Sequence, residues 1–147
     1  IRETVKNFSG LAHRLEFVGE FNGIKYYNDS ISTIPEATIN AIESIKDVDT
    51  VIIGGLDRGI HYDDFATYLM NCNVKNIILA YDTGKRIYSK MSPDRAILVN
   101  DLKEAVDKAK EVTAKGKACL LSPAAASYGF FKNFEERGDK FKELAKK

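Results

Sequence analysis

The sequence predicts an α/β domain built on a mainly parallel sheet with helices on both faces. Short apolar runs within Thr50–Ile53, Val74–Ala80 and Lys117–Leu121 read as buried strands. Segments with apolar residues at helical spacing lie between them, and strands alternating with helices make parallel crossovers. Three strand ends, Asn28 to Thr33, Gly54 to Gly59 and Ser122 to Ser127, are rich in small and polar residues. Ligands of such sheets bind beyond the carboxyl ends of the strands.

In chain order, Arg2 to Phe8 reads as the tail of a helix with Gly10 past its end. Leu15 to Phe21 and Ile24 to Asn28 flank Asn22-Gly23, the strongest short hairpin signal, and Gly19 marks a bulge in the first arm. That arm runs antiparallel and belongs on a sheet edge. After Asn28-Asp29-Ser30, Thr33-Ile34-Pro35-Glu36 reads as a capping box with Thr33 as N-cap. Ala37, Ala41, Ile42 and Ile45 then form one apolar helical face. The strand Thr50 to Ile53 ends in Gly54-Gly55-Leu56-Asp57-Arg58-Gly59, and a helix from about Asp63 to Met70 follows. Val74 to Ala80 is a third parallel strand, Thr83 to Met91 a short helix capped by Thr83, and Arg95 to Val99 a short strand. Asp101-Leu102-Lys103-Glu104 is a second capping box, and Lys115-Gly116 ends its helix.

The sixth strand leads into Ser122-Pro123-Ala124-Ala125-Ala126-Ser127. Here Ser127 is read as a helix start, where a hydroxyl and unpaired N–H groups make an anion pocket. A last helix runs from its N-cap Asn133 to Ala145, with Glu135 and Glu136 early and Lys146 and Lys147 late, as the helix dipole favours. The run Glu135 to Arg137 reads as a solvated helix face.

The 147 residues fit one domain. Basic and acidic residues balance, 22 against 21, so nothing points to nucleic acid or to an anionic membrane surface. Cys72 and Cys119 lie far apart, and neither a disulfide framework nor a zinc site is indicated. With no apolar run of membrane-spanning length and no signal peptide, a cytoplasmic setting is expected. The chain opens on Ile1 and is read as a piece of a longer protein.

Single motifs are weak. The Gly54–Gly59 loop lacks G-x-G-x-x-G spacing, although Arg58 at a strand end suits a carboxylate or phosphate. Asp82-Thr83-Gly84-Lys85-Arg86 is not a P-loop, so this chain alone does not hold a triphosphate in the Walker manner. His13 and His61 are too isolated for a metal site, and Tyr26-Tyr27 and Phe130-Phe131 read as packing. The residues alone reach an α/β domain whose three loops converge on an anionic small molecule of open identity.

The order of motifs is more specific. Gly10-Leu11-Ala12-His13-Arg14-Leu15-Glu16, Asn28-Asp29-Ser30-Ile31-Ser32-Thr33, the Gly54–Gly59 loop, Leu121 to Ser127 and Phe134-Glu135-Glu136-Arg137-Gly138 follow one another. This series resembles the C-terminal domain of the Mur ligases of peptidoglycan synthesis, and among them the D-glutamate-adding branch. The resemblance covers essentially the whole chain. It implies a three-layer, Rossmann-like α/β/α domain with six strands in the order 1-2-6-3-4-5, strand 1 antiparallel. It also implies a three-domain enzyme whose UDP-binding and central ATPase domains are not in this chain, so the chain alone is expected to be inactive.

The implied reaction activates the carboxylate of UDP-MurNAc-L-alanine as an acyl phosphate with ATP and Mg2+, and the amine of D-glutamate attacks it. By the same resemblance, His13, Arg14 and Asp29 face the nucleotide, with Arg14 as the catalytic cation toward phosphate and Asp29 toward the ribose. Thr33 and Arg58 hold one carboxylate of D-glutamate. Ser127, with backbone groups near Tyr128 and Phe134, holds the other. A monomer with no nucleic-acid or membrane partner is implied. Ile31 and Arg58 stand where many members carry lysine, and Gly129 where an acidic residue is common. The alternatives are a sister ligase, either the diaminopimelate- or lysine-adding Mur enzyme or folylpolyglutamate synthase, or a non-catalytic dicarboxylate-binding module. The diaminopimelate- or lysine-adding branch typically has Asp-Tyr-Ala-His where this chain has Asn28-Asp29-Ser30-Ile31.

Overall fold

The computed structural model describes residues 12–147, and the helix tail read at Arg2 to Phe8 with Gly10 lies outside them. Six strands form one sheet: β1 (Glu16–Phe21), β2 (Ile24–Asn28), β3 (Val48–Ile53), β4 (Asn76–Leu79), β5 (Ile97–Leu98) and β6 (Ala118–Leu121). Their spatial order is β1-β2-β6-β3-β4-β5, with β1 antiparallel to β2 and the other pairs parallel. The register shifts between Phe17 and Gly19, which is the expected bulge. Asn22 and Gly23 take φ of 54° and 85°, the two positive values that a type I′ hairpin turn requires.

Alternation along the central strands feeds two cores. Val51, Ile53, Ile77, Leu79 and Leu120 face one side, against α1 (Pro35–Ser44), α2 (Asp63–Asn71) and α3 (Tyr81–Tyr88). Ile52, Ile78, Cys119 and Leu121 face the other, against α4 (Leu102–Val112) and α5 (Phe134–Lys146). Successive side chains of a strand point to opposite faces, so strands apolar at every position need both faces covered. The strand order sets the carboxyl ends of β2, β6 and β3 side by side, and with them the three polar loops.

Four helix-end expectations change, and the simplest is that α4 already ends at Val112 with Thr113 as C-cap, before Lys115-Gly116. The first helix is capped by Ile34, not Thr33, and no side chain bonds its N-terminus. Pro35 excludes the helical region for the residue before it. Ile34 accordingly stays extended at φ −134°, ψ 156°, and the helix begins one residue later than a Thr33 cap requires. Thr83 is not a cap either, because α3 begins at Tyr81 with Ala80 as N-cap. The Thr83 hydroxyl instead accepts the Gly55 N–H at 2.7 Å, a donor left without a ladder partner past the end of β3. Ser127 does not open a helix. Its segment is drawn into extended pairing with the Gly54–Gly59 loop, through a Leu56–Ala126 bridge, and then turns, with Phe130 and Phe131 N–H groups on the Ser127 carbonyl. The helix waits for Asn133, whose Oδ1 accepts the Glu136 N–H at 2.9 Å. The Asp101 cap is as read, accepting from Glu104 N–H at 3.0 Å.

Candidate functional site

The loop after β2 is organised by Asp29. Oδ1 accepts the Leu15 N–H at 3.0 Å, and Oδ2 accepts the hydroxyls of Ser122, at 2.9 Å, and Ser32. The side chain is 3% exposed. Burial pushes its pKa above the ordinary aspartate value, against the pull of those donors and of the Arg14 charge. A cavity of about 310 Å3 opens beside it, lined by Arg14, Asp29, Ile31, Ser32 and Asn40 among others.

Asn28 joins this loop to the segment before β1. Its Oδ1 accepts the Ser30 N–H at 3.1 Å, so its Nδ2 donates to Glu16 Oε1 at 3.0 Å and to His13 Nδ1 at 2.9 Å. The His13 proton therefore sits on Nε2, which lies 3.8 Å from Asp139. The imidazole is buried edge-on to Phe134, and a Cβ at Gly138 would collide with it.

Glu16 also accepts from the His13 N–H at 3.0 Å and pairs with Lys142 at 3.1 Å. Burial raises its pKa, but the His13 N–H, Lys142 and Asn28 together outweigh burial and hold it below the usual 4.5. A depressed carboxylate contributes stability above its unfolded value that is lost as pH falls through the folded one. Glu16→Gln should therefore cost roughly 1–2 kcal/mol at pH 7, and the gap to wild type should close below pH 4.5. Urea midpoints measured from pH 3 to 7 check this; a gap independent of pH would contradict it.

The second and third loops are one backbone unit. Gly54 N–H reaches the Pro123 carbonyl at 2.9 Å, Leu56 N–H the Ala126 carbonyl at 2.8 Å, and Ala124 N–H the Ser32 carbonyl at 3.1 Å. The close approach requires glycine: a Cβ on Gly54 would strike the Ala80 carbonyl and one on Gly55 the Ala126 carbonyl, and Gly54 has φ +135°. Arg58 stands exposed on this rim and donates from Nη2 to the Thr33 carbonyl at 3.2 Å, so the two residues assigned to one carboxylate meet. Ser127 is 3% exposed, and among the described residues its hydroxyl makes no hydrogen bond. Tyr128 is 62% exposed beside it.

Arg137 locks the assembly from below. It is 1% exposed, so the solvated-face reading of this residue is wrong. Nε donates to Ser30 Oγ at 3.0 Å, Nη2 to the Ser30 carbonyl at 2.8 Å and Nη1 to the Ala125 carbonyl at 3.0 Å. Ser30 Oγ in turn donates to the Phe134 carbonyl at 2.7 Å. Burial lowers the guanidinium pKa to about 10, which leaves it charged at neutral pH.

A family model described as "Mur ligase, glutamate ligase domain" matches residues 13–125, most of the chain, with the first two loops whole and the third as far as Ala125. The chain belongs to this family. The UDP-N-acetylmuramoylalanine–D-glutamate ligase of Caldanaerobacter subterraneus is 46% identical over 97% of the chain, and that of Aquifex aeolicus 40% identical over 97%. The chain spans about a third of the length of these curated relatives, 33% and 34%. Among solved structures, a UDP-N-acetylmuramate-alanine ligase from Thermotoga maritima superimposes with a TM-score of 0.62 at 19% identity, covering 96% of this chain and 31% of that one. A bifunctional folylpolyglutamate synthase/dihydrofolate synthase from Yersinia pestis, complexed with AMPPNP and a Mn ion, gives 0.63 at 13%, covering 91% and 31%.

Within this Mur ligase domain the predicted residues fall into two groups. His13, Arg14 and Asp29 gather around the first loop, and Thr33 and Arg58 touch at the rim with Ser127 and Tyr128 on the loop paired to theirs. Phe134 packs against His13 and offers its carbonyl to Ser30, which links the groups. The residues that hold these loops, Ser30, Ser32, Ser122, Thr83 and Arg137, were not singled out for that role from sequence. A signal existed for Arg137: it shares a helical stripe with Gly138, Phe141, Leu144 and Ala145, all buried. Among the described residues no three His, Cys, Asp or Glu side chains are grouped to hold a metal, and no helix is long and apolar enough to cross a membrane.

Proposed function

We propose that this domain is the C-terminal, amino-acid-binding third of a cytoplasmic, monomeric ligase that adds D-glutamate to UDP-MurNAc-L-alanine. The reading is carried by the rim where Arg58 reaches Thr33 while its loop pairs with the loop of Ser127. That arrangement places one cation and two hydroxyl-bearing residues over adjacent strand ends, which suits a small dicarboxylate. Three anchors around a chiral centre fix where the amine points, and this is how the site selects the D form.

ATP supplies the phosphoryl group that converts the UDP-MurNAc-L-alanine carboxylate into an acyl phosphate open to attack by the D-glutamate amine. The P-loop that grips ATP, with its Mg2+, belongs to the rest of the enzyme. In this chain, Arg14 and the Nε2–H of His13 supply positive and donor groups toward the nucleotide when the domains close. Asp29, both of whose carboxylate oxygens are already engaged, holds Leu15 and thereby the Arg14 backbone. Any contact of Asp29 with the ribose is made at the edge of the cavity it shares with Arg14.

Ser127→Ala in the full-length enzyme should raise the KM for D-glutamate by the loss of one bond to a charged group, roughly 1.5–3 kcal/mol, and leave that for ATP nearly unchanged. The melting temperature of the same variant separates binding from structure: a destabilised variant with unaltered D-glutamate KM would sink the assignment.

A further inference from the structure

Arg58 stands at the apex of a short turn, and the residue that fixes the turn lies on another element. Asp57 Oδ1 accepts the Gly59 N–H at 2.9 Å, two residues on, which closes an Asx turn around Arg58. Gly59 takes φ +80°, the left-handed value that such a reversal needs. The same Oδ1 accepts from Nη1 of Arg86, on α3, at 2.6 Å. Nη2 of Arg86 donates to the Ile60 carbonyl at 2.8 Å, and its guanidinium carbon lies 5.2 Å from the Tyr62 ring centroid. One planar fork thus grips the chain immediately before and two residues after Arg58. A lysine, with a single nitrogen, cannot span both points.

The same helix reaches the loop a second time. Thr83 Oγ1 accepts the Gly55 N–H and donates to the Gly55 carbonyl, at 2.7 and 3.2 Å. Residues 55 to 60 are therefore tied to α3 at both ends, and the exposed apex between the ties is Arg58.

We propose that Arg86 is a positioning residue for D-glutamate: it presets the backbone of Arg58 so that the Arg58 guanidinium meets the substrate carboxylate without first ordering the loop. This rests on the assignment of Arg58 to that carboxylate. Asp57 and Arg86 side chains are each 33% exposed, so their exchange leaves no buried charge behind. An anchor preset in this way affects substrate capture, because it removes the ordering cost from the binding step.

The test is a double-mutant cycle in the full-length enzyme, with KM for D-glutamate, KM for ATP, kcat and melting temperature measured on each variant. Arg86→Gln should raise the D-glutamate KM about tenfold, with the ATP KM and kcat within about twofold of wild type. Asp57→Asn, which weakens the same tie from the other side, should raise it in the same direction. Arg86→Lys should recover part of the loss. In an Arg58→Ala background, Arg86→Gln should add little. Full additivity there, or an unchanged KM for Arg86→Gln while Arg58→Ala shifts it, would overturn the positioning role alone. An unchanged D-glutamate KM for Arg58→Ala would overturn the assignment of Arg58, and the inference with it.

Discussion

Arg137→Met should be the most destabilising single change in the domain outside its apolar core, at about 3–5 kcal/mol. The substitution fills much of the same volume, yet it leaves the Ser30 and Ala125 carbonyls and the Ser30 hydroxyl without the donors they now have. Each buried acceptor left unsatisfied costs roughly 1–3 kcal/mol, and partial rehydration trims the sum. For a domain of this size the loss corresponds to a fall of about 10 °C in melting temperature. Arg137→Lys should recover only a minor share, since an ammonium cannot reach acceptors on two loops at once.

The consequence extends to binding. Ser30 lies between Asp29 and Ile31, and Ala125 two residues before Ser127, so both loops loosen when Arg137 is lost. At temperatures where Arg137→Met is still folded, the D-glutamate KM of the full-length enzyme should be raised. A variant as stable as wild type in urea would show that these bonds contribute nothing net.

How far the sequence discloses this molecule depends on the range of the interaction involved. The fold is legible because it rests on local periodicity. Strands apolar at every position demand two helical layers, and Asn22-Gly23 dictates the edge hairpin. The caps at Asp101 and Asn133 are legible too, because partner and cap are three residues apart. Thr33 and Thr83 fail as caps for opposite reasons. At Thr33 a neighbour, Pro35, overrides the capping pattern through a backbone clash. At Thr83 a remote group, the Gly55 N–H, takes the hydroxyl across 28 positions of sequence.

The same division runs through the site. His13, Arg14, Asp29, Thr33, Arg58 and Ser127 come into view through ordered motifs, which need no knowledge of contacts. That Asp29 is a hub joining separate loops rather than an open carboxylate depends on Leu15, 14 residues away, and on Ser122, 93 residues away. Arg137 bonds across 107 positions to Ser30, and a lone arginine in a charged helical segment gives little sign of so distant a partner. Its place on the stripe with Phe141 and Leu144 is the one local clue.

Arg14→Ala in the full-length enzyme should lower kcat by an amount equivalent to about 2–4 kcal/mol, with the KM for D-glutamate within about twofold of wild type. Arg14 is exposed, and it is the one cation among the residues that line the cavity beside Asp29. Ile31, on the same cavity, offers no charge to share the task. The backbone that carries Arg14 is unusually constrained. His13 and Leu15 on either side have φ of 65° and 47°, in the left-handed region that non-glycine residues seldom occupy. They are held there by the Ile31 N–H on the His13 carbonyl at 3.0 Å and by the Leu15 N–H on Asp29. A conformation of that kind persists where surrounding bonds over-determine it, and it aims a side chain without reorganisation at the moment of reaction. On the proposed assignment the cation meets phosphate only once the domains close, and its loss should then appear in the chemical step and not in amino-acid capture. Steady-state kinetics with D-glutamate varied at saturating ATP decide the matter. An unaltered kcat with a raised D-glutamate KM would place Arg14 on the amino acid instead.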